Sequence, residues 1–464
     1  MQFLIFLFAL AAFVWMIPIV HGGRLLRLSV LVLLVGTAFG PDFFAIDGFI
    51  QISLDRVLWA SMLALAVVQF RLGNLRIARL TRIDFLIAAI IAYFFLSGMG
   101  AGSGPYMTKS FSRWLFYAVM PAGLYLMARV VEIRAEDIRW FCKVVLGLGV
   151  YLAATSVFEV AGYHFAVFPR YIVDPDVWLF YGRGRGPLLN PVGNGFIITI
   201  GTVACVLGFF SSDRRMKLIY AGLFIVLVLG AYATLTRSVW IGLILAVGVI
   251  AFVYSPRWLR ILSLAATVLL AGAMTIGLKD QLLAFKRDKD LSAQEAAKSI
   301  ELRPLLAIVA WEMFKDKPIT GHGFGRYFEH SKPFHDIRSY KAPLEKVKGY
   351  YQHNTFLAIL VDTGLIGISL FVGLLASLCG IGWRLTRDRK STPEIRQVGL
   401  LMLGAMASYC FNGLFHDMMI IPMSHMFLFF LAGIAVTVYQ YGFAERPQRD
   451  VRRQAAMPVP MLGG

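Results

Sequence analysis

Charge is scarce in this sequence. Only 16% of its residues are Asp, Glu, Lys or Arg, while 58% are hydrophobic, and a soluble globular domain carries about 25% charged residues. That shortage, with a mean hydropathy of +0.69, excludes an ordinary soluble fold for the 464 residues and makes the chain an all-α, polytopic integral membrane protein. Cysteine is scarcer still. Cys142, Cys205, Cys379 and Cys410 all lie in apolar segments, so neither a disulfide framework nor a thiolate metal site is expected. No His-x-x-x-His pair or nucleotide-binding Gly loop occurs, which argues against an ATP-driven pump. No metal and no cofactor are expected. The apolar stretch 2–20 has no basic region before it, and it reads as a retained helix rather than a cleaved signal.

What the chain does have is a succession of apolar runs long enough to span a bilayer. They lie near 2–20, 25–41, 54–70, 84–100, 113–130, 139–161, 189–210, 217–235, 239–255, 259–278, 353–382, 397–415 and 419–441. This makes about 12–13 transmembrane helices. The net charge of +18 is a poor sign of nucleic-acid binding, because the basic residues are divided among loops. Alternate loops carry Arg24 and Arg27; Arg71, Arg76, Arg79 and Arg82; Arg134 and Arg139; Arg214, Arg215 and Lys217; Arg257 and Arg260; and Arg384 through Arg396. The tail contains Arg446, Arg449, Arg452 and Arg453. Crossing each apolar run once puts all of them on one side, which the positive-inside rule makes cytoplasmic.

The remaining loops are acidic or nearly neutral, with three exceptions: the segment 163–186, the turn Thr236-Arg237-Ser238 and a polar insertion at 279–352. The insertion divides the chain into N-terminal membrane helices (1–278), a large periplasmic loop with short helices (279–352), C-terminal membrane helices (353–441) and a basic cytoplasmic tail (442–464). Within the loop, residues 303–315 have Leu306, Val309, Ala310, Met313 and Phe314 at helical spacing. The run from Pro318 to Gly325 then breaks the helix, and its alternating glycines, Gly321 and Gly323 among them, let backbone amides approach a phosphate.

Arg183, Arg185, Arg237, Arg303 and His353 thus gather on the face opposite the anchoring charges. Headgroup binding or snorkelling is the alternative reading for each Arg alone, and helix anchoring is the alternative for His353. His353-Asn354 opens an apolar run, and Gly364 and Gly367, three apart, are expected on one helical face where another helix or a lipid chain packs closely. Asp362 lies inside that run and Glu159 near the end of another; a buried carboxylate there is expected to hold a partner in an ion pair. His416 and His425 read as packing or interfacial residues.

The pattern His353-Asn354, nine residues, Gly364-x-x-Gly367 resembles the O-antigen ligase and O-antigen polymerase superfamily of bacterial inner-membrane glycosyltransferases. The long loop before the His, the Arg-led helix at Arg303 and the Pro-x-x-Gly-x-Gly segment at Pro318 are similar as well. So is the Arg turn at Arg237, where Ser238 replaces the family's Gly, and the Arg-containing stretch from Arg183 to Pro191. The resemblance is specific from about residue 183 to 367. It implies a glycan transferred from undecaprenyl diphosphate to lipid A–core, or to another lipid-linked glycan in a polymerase, at the periplasmic face of the inner membrane.

Elementary chemistry agrees with that implication. Guanidinium groups bind phosphate bidentately and stay charged, so they can stabilise a diphosphate leaving group without a metal. A neutral imidazole can take the proton from an acceptor hydroxyl. His353 is therefore assigned as base, with Arg237 and Arg303 as the diphosphate clamp. Arg183, Arg185, Asn354, Gly321 and Gly323 are assigned to substrate binding and Asp362, Gly364 and Gly367 to support. A transporter or flippase of lipid-linked glycans would also need outward basic residues, but would show charges along a path to a second site within the opposite face.

Overall fold

The computed structural model describes residues 25–46, 51–75, 78–100, 105–262, 293–340, 342–388 and 391–444. The runs expected at 2–20 and, beyond residue 262, at 259–278 lie outside the described residues, as do loop residues 279–292 and the tail from 445. The described part is mainly helical, and its strands are one short antiparallel pair, β1 (Ala45–Ile46) and β2 (Ile52–Ser53). The membrane helices are α1 (Leu25–Ala38), α2 (Leu54–Arg71), α3 (Arg82–Gly100), α4 (Pro105–Trp114) running through a π turn into α5 (Met120–Val130), α6 (Ala135–Val160), α7 (Pro191–Phe210), α8 (Arg214–Ala233) and α9 (Arg237–Tyr254). After the large loop, which holds α10 (Ala293–Asp316) and α11 (Tyr327–His330), come α12 (Thr355–Arg387), α13 (Pro393–Gly413) and α14 (Pro422–Tyr441). Among the described helices, seven are long and apolar enough to cross a membrane: α3, α6, α7, α8, α9, α12 and α14. The all-α polytopic architecture is as the hydropathy required.

The helices sort into a centre and a periphery. α7 and α14 are enclosed on nearly all sides, whereas α3 and α8 turn most of their apolar surface outward, toward lipid. Small residues set the closest approaches: Gly149 of α6 lies against Gly201 of α7, and Gly230 of α8 against Ala153 of α6. Close packing of this kind replaces the hydrophobic drive that lipid removes.

Polar links between segments distant in sequence test the charge-based topology independently. On the basic face Arg139 pairs with Glu394 at 2.8 Å, Gln397 donates to Ser211, and buried Arg129 bonds Asp84, the Arg79 carbonyl and Gln440. On the opposite face, here called the loop face, Arg113 pairs with Asp417 at 3.2 Å, Tyr151 donates to the Ala38 carbonyl, and the Gly184 amide to the Ala233 carbonyl. Each link joins loops that the alternation of basic clusters puts on the same side.

The loop folds on α10. Leu306, Val309, Ala310 and Met313 bury one stripe of this helix against Tyr327, Leu344 and Val347, as their spacing predicts. The cluster also takes in Val361 from α12, so the loop is seated on a membrane helix.

That seat is where sequence and structure part. The spacing of Gly364 and Gly367 predicts two packing glycines on one continuous helical face, but α12 is broken at Gly364, whose φ is 62° and ψ −163°. The break deprives Leu365 and Ile366 of their helical acceptors, the carbonyls of Val361 and Asp362. The segment 318–323 repairs both gaps: Leu365 and Ile366 donate to the carbonyls of Pro318 and Ile319, while Val361 and Asp362 accept from the amides of His322 and Gly323. Two lost helical bonds are replaced by four to the loop. This meets the rule that irregular backbone at membrane depth persists only where protein satisfies it. Gly367, for its part, is confined by the Thr363 side chain.

Only glycine readily occupies the φ and ψ of Gly364, and another residue there costs about 1–3 kcal/mol. A Cβ would also overlap the Ile319 carbonyl. Gly364→Ala should therefore undock the loop and lower thermal stability in detergent, whereas Gly373→Ala on the same helix, where a Cβ meets nothing within 4 Å, should not. Equal melting of the two variants would show that the pairing contributes nothing.

Candidate functional site

Three helices begin on the loop face with the same local device. Leu189, Leu235 and His353 have φ of 50°, 48° and 50°, and each stands immediately before the N-cap of α7, α9 or α12: Asn190, Thr236 and Asn354. A non-glycine residue held at positive φ costs on the order of 1–3 kcal/mol and persists only where its surroundings fix it. For His353 those surroundings are visible. Asn354 Oδ1 accepts from the Leu357 amide at 3.0 Å and its Nδ2 donates to the Leu414 carbonyl at 2.9 Å. Thr355 Oγ1 donates to the His416 carbonyl and accepts from the Met418 amide. The turn is thus pinned to the α13–α14 connection, and the His353 side chain is left exposed at the surface.

Arg303, near the middle of α10, is half-buried, with its guanidinium over the Phe415 ring at 5.8 Å. Among the described residues no carboxylate pairs with it, and its pKa is lowered by burial alone. It remains charged at any physiological pH. Its field reaches His353: surrounding protein mass, and then the Arg303 cation, push the imidazole below its ordinary pKa. His353 is therefore neutral at neutral pH, the form that accepts a proton.

Arg237 is the first residue of α9 and half-buried. A Cβ on Gly242 of α9 would meet Asn412 and Ser408 of α13 at 3.0–3.1 Å. The two helices run antiparallel, so Arg237, over one turn farther out, is level with the Leu414–His416 turn to which Asn354 and Thr355 are tied. The structure thus gathers Arg303, His353 and Asn354 around the α13–α14 connection, with Arg237 level with it at the start of the neighbouring α9.

Other expected site residues are placed differently. Arg185 is fully buried. Its guanidinium donates to the carbonyls of Ile172, Asp174, Val177 and Leu179 and lies 3.5 Å from Glu159, so its donors face the protein and hold the 163–186 segment together. Arg183 is half-buried, with its guanidinium 5.8 Å from the Phe180 ring. The Gly323 amide is taken up by the Asp362 carbonyl and the Gly321 amide by the Lys317 carbonyl. Both Asn354 side-chain ends are engaged in capping and tethering. Asp362, expected to hold a partner in an ion pair, accepts from the Gly325 amide at 2.9 Å and lies within the field of the Arg113 cation.

Two cations that the charge pattern did not single out stand nearby. Arg113, at the end of α4, is largely buried, pairs with Asp417 and lies 5.1 Å from the centre of the Tyr351 ring. Burial, opposed by Arg113, holds the Asp417 carboxyl above the usual carboxylate range. Arg326 is fully buried, donating to the Gly98 carbonyl and pairing with Glu329 at 2.7 Å. Arg113 was open to detection as a charge at the edge of an apolar run.

Residues 222–372 match the family model described as O-antigen ligase. The matched stretch is about a third of the chain and contains Arg237, Arg303, His353 and both halves of the Gly364 pairing. A comparison with curated proteins found no match.

Proposed function

We propose that this chain, which its match to the O-antigen ligase family supports as a member of the ligase and polymerase superfamily, is a glycosyltransferase that takes its glycan from undecaprenyl diphosphate. The acceptor hydroxyl attacks the anomeric carbon and the bond from that carbon to the diphosphate oxygen breaks. The leaving diphosphate takes the electron pair and His353 receives the hydroxyl proton. Arg237 and Arg303 bind the diphosphate and offset its growing charge, which leaves a divalent cation no necessary part in the step. The loop face is then periplasmic, in the inner membrane of a bacterium. Lipid A–core is the acceptor in this reading.

The observation that carries the reading is the pairing of a strained, neutral, surface-exposed His353 with a half-buried Arg303 that no carboxylate neutralises among the described residues. Arg185, Arg183, Asn354, Gly321 and Gly323 act in this account by shaping the walls of the site, with Asp362, Gly364 and Gly367 holding the loop on α12.

Polymerisation of lipid-linked repeat units is the second reading, since it uses the same donor and the same cations. A strain lacking the protein separates the two. Under the ligase reading lipid A–core loses all polymer while lipid-linked polymer accumulates. Single repeats remaining on lipid A–core would instead establish the polymerase, and an unchanged glycan profile would remove both.

A further inference from the structure

The basic face carries a cleft of about 620 Å³ where α12 and α14 end and α13 begins, lined by Trp383, Arg384, Arg387, Asp388, Ile395 and Tyr439 among others. We propose that it binds the phosphate headgroup of an anionic membrane lipid. This is a second lipid site, at the opposite end of α12 from His353, and the transfer chemistry has no use for it.

The cationic lining is seated rather than merely present. Arg384 donates to the Tyr439 hydroxyl at 2.9 Å, with its guanidinium 5.9 Å from the ring centre, and Arg387 lies over the Trp383 ring at 4.8 Å. Both guanidinium groups are exposed yet held by aromatic partners, which lowers the conformational entropy lost when their forks meet phosphate oxygens. Leu385, Ile395 and Val438 supply an apolar wall in the same cleft, suited to the glycerol and upper acyl chain that accompany a lipid phosphate. Trp383 and Tyr439 are the residue types that collect at headgroup depth. Basic pockets between membrane helices on this side of a bilayer are where anionic headgroups bind.

Basic residues in a last helical turn also complement the helix dipole and fix orientation in the membrane. Those roles explain the sign of the charge but not the cleft, the two aromatic seats or the apolar wall. Asp388 subtracts from the positive charge without cancelling the two arginines. Residues 445–464, which follow Gly442 at the cleft, carry Arg446, Arg449, Arg452 and Arg453 against Glu445 and Asp450. Their net charge has the same sign as Arg384 and Arg387, so charge complementarity selects the lipid phosphate over the tail.

Native mass spectrometry of the full-length protein in detergent, titrated with phosphatidylglycerol, phosphatidylcholine of the same chain length, or inorganic phosphate, tests the proposal. One saturable phosphatidylglycerol should bind, phosphatidylcholine and inorganic phosphate should not compete for it, and Arg384→Gln with Arg387→Gln should weaken it about tenfold or more. Should that double variant not fold, Tyr439→Phe, which removes the hydroxyl that seats Arg384, is expected to weaken binding severalfold. Phosphatidylglycerol binding that survives these changes would overturn the proposal. So would equal competition by inorganic phosphate or by phosphatidylcholine, or the lack of a saturable site in the wild-type chain.

Discussion

His353→Ala is expected to lower glycan transfer by roughly 10²- to 10⁴-fold, the range for loss of a general base, and to leave donor binding largely intact. Arg303→Ala and Arg237→Ala are expected to weaken donor binding together with turnover, with Lys rescuing only in part because an ammonium cannot reproduce the bidentate fork. The pH profile adds a signature that a structural role for His353 would not give. The base is active when neutral, so activity is present above its pKa and falls as pH drops through it. Desolvation by the surrounding protein and the Arg303 cation both depress that pKa. The acid limb of kcat/KM in the wild-type protein should therefore lie below the ~6.5 of a free imidazole. Arg303→Gln removes one of the two causes and should move that limb to higher pH. Near-normal transfer by folded His353→Ala protein, or a limb indifferent to Arg303, would reduce the imidazole to a helix anchor.

Arg185→Met should be the most damaging single change to stability. The substitution leaves Glu159 as a buried carboxylate without its cation, a situation that costs about 3–5 kcal/mol. It also strands the carbonyls of Ile172, Asp174, Val177 and Leu179, which now accept from one guanidinium. The expected result is a sharp loss of monodisperse protein in detergent, with proteolysis beginning between residues 163 and 186. Adding Glu159→Gln removes the unpaired charge but not the stranded carbonyls, so the double variant should recover only part of the loss. Full recovery would mean that the ion pair, and not the carbonyl cage, orders the segment. Wild-type stability for Arg185→Met would mean that neither does.

Much of this architecture was legible because lipid imposes a length and a polarity that sequence displays directly. The apolar run 189–210 became the helix Pro191–Phe210 and the run 419–441 became Pro422–Tyr441, since a segment that crosses hydrocarbon must satisfy its backbone internally. The amphipathic stripe of α10 was legible for the same kind of reason. The break at Gly364 was not, because hydropathy is continuous from Thr355 to Arg387 and the repairing carbonyls and amides come from Pro318–Gly323, some forty residues earlier. Both glycine motifs were visible, but their pairing is a tertiary fact. The inward turn of Arg185 was hidden too: an arginine in a polar loop looks exposed until the carbonyls of 172–179 are seen to converge on it. Arg113 escaped notice because its partner, Asp417, is 304 residues away.

The decisive measurement is transfer by the purified full-length protein given a polyprenyl-diphosphate-linked glycan and lipid A–core, in excess chelator. The account predicts a new glycosidic bond to the acceptor and free polyprenyl diphosphate in equal amount, at a rate that added magnesium or manganese does not raise. It would be contradicted if the donor stayed intact, or crossed a bilayer unchanged, or reacted only when a divalent cation was restored.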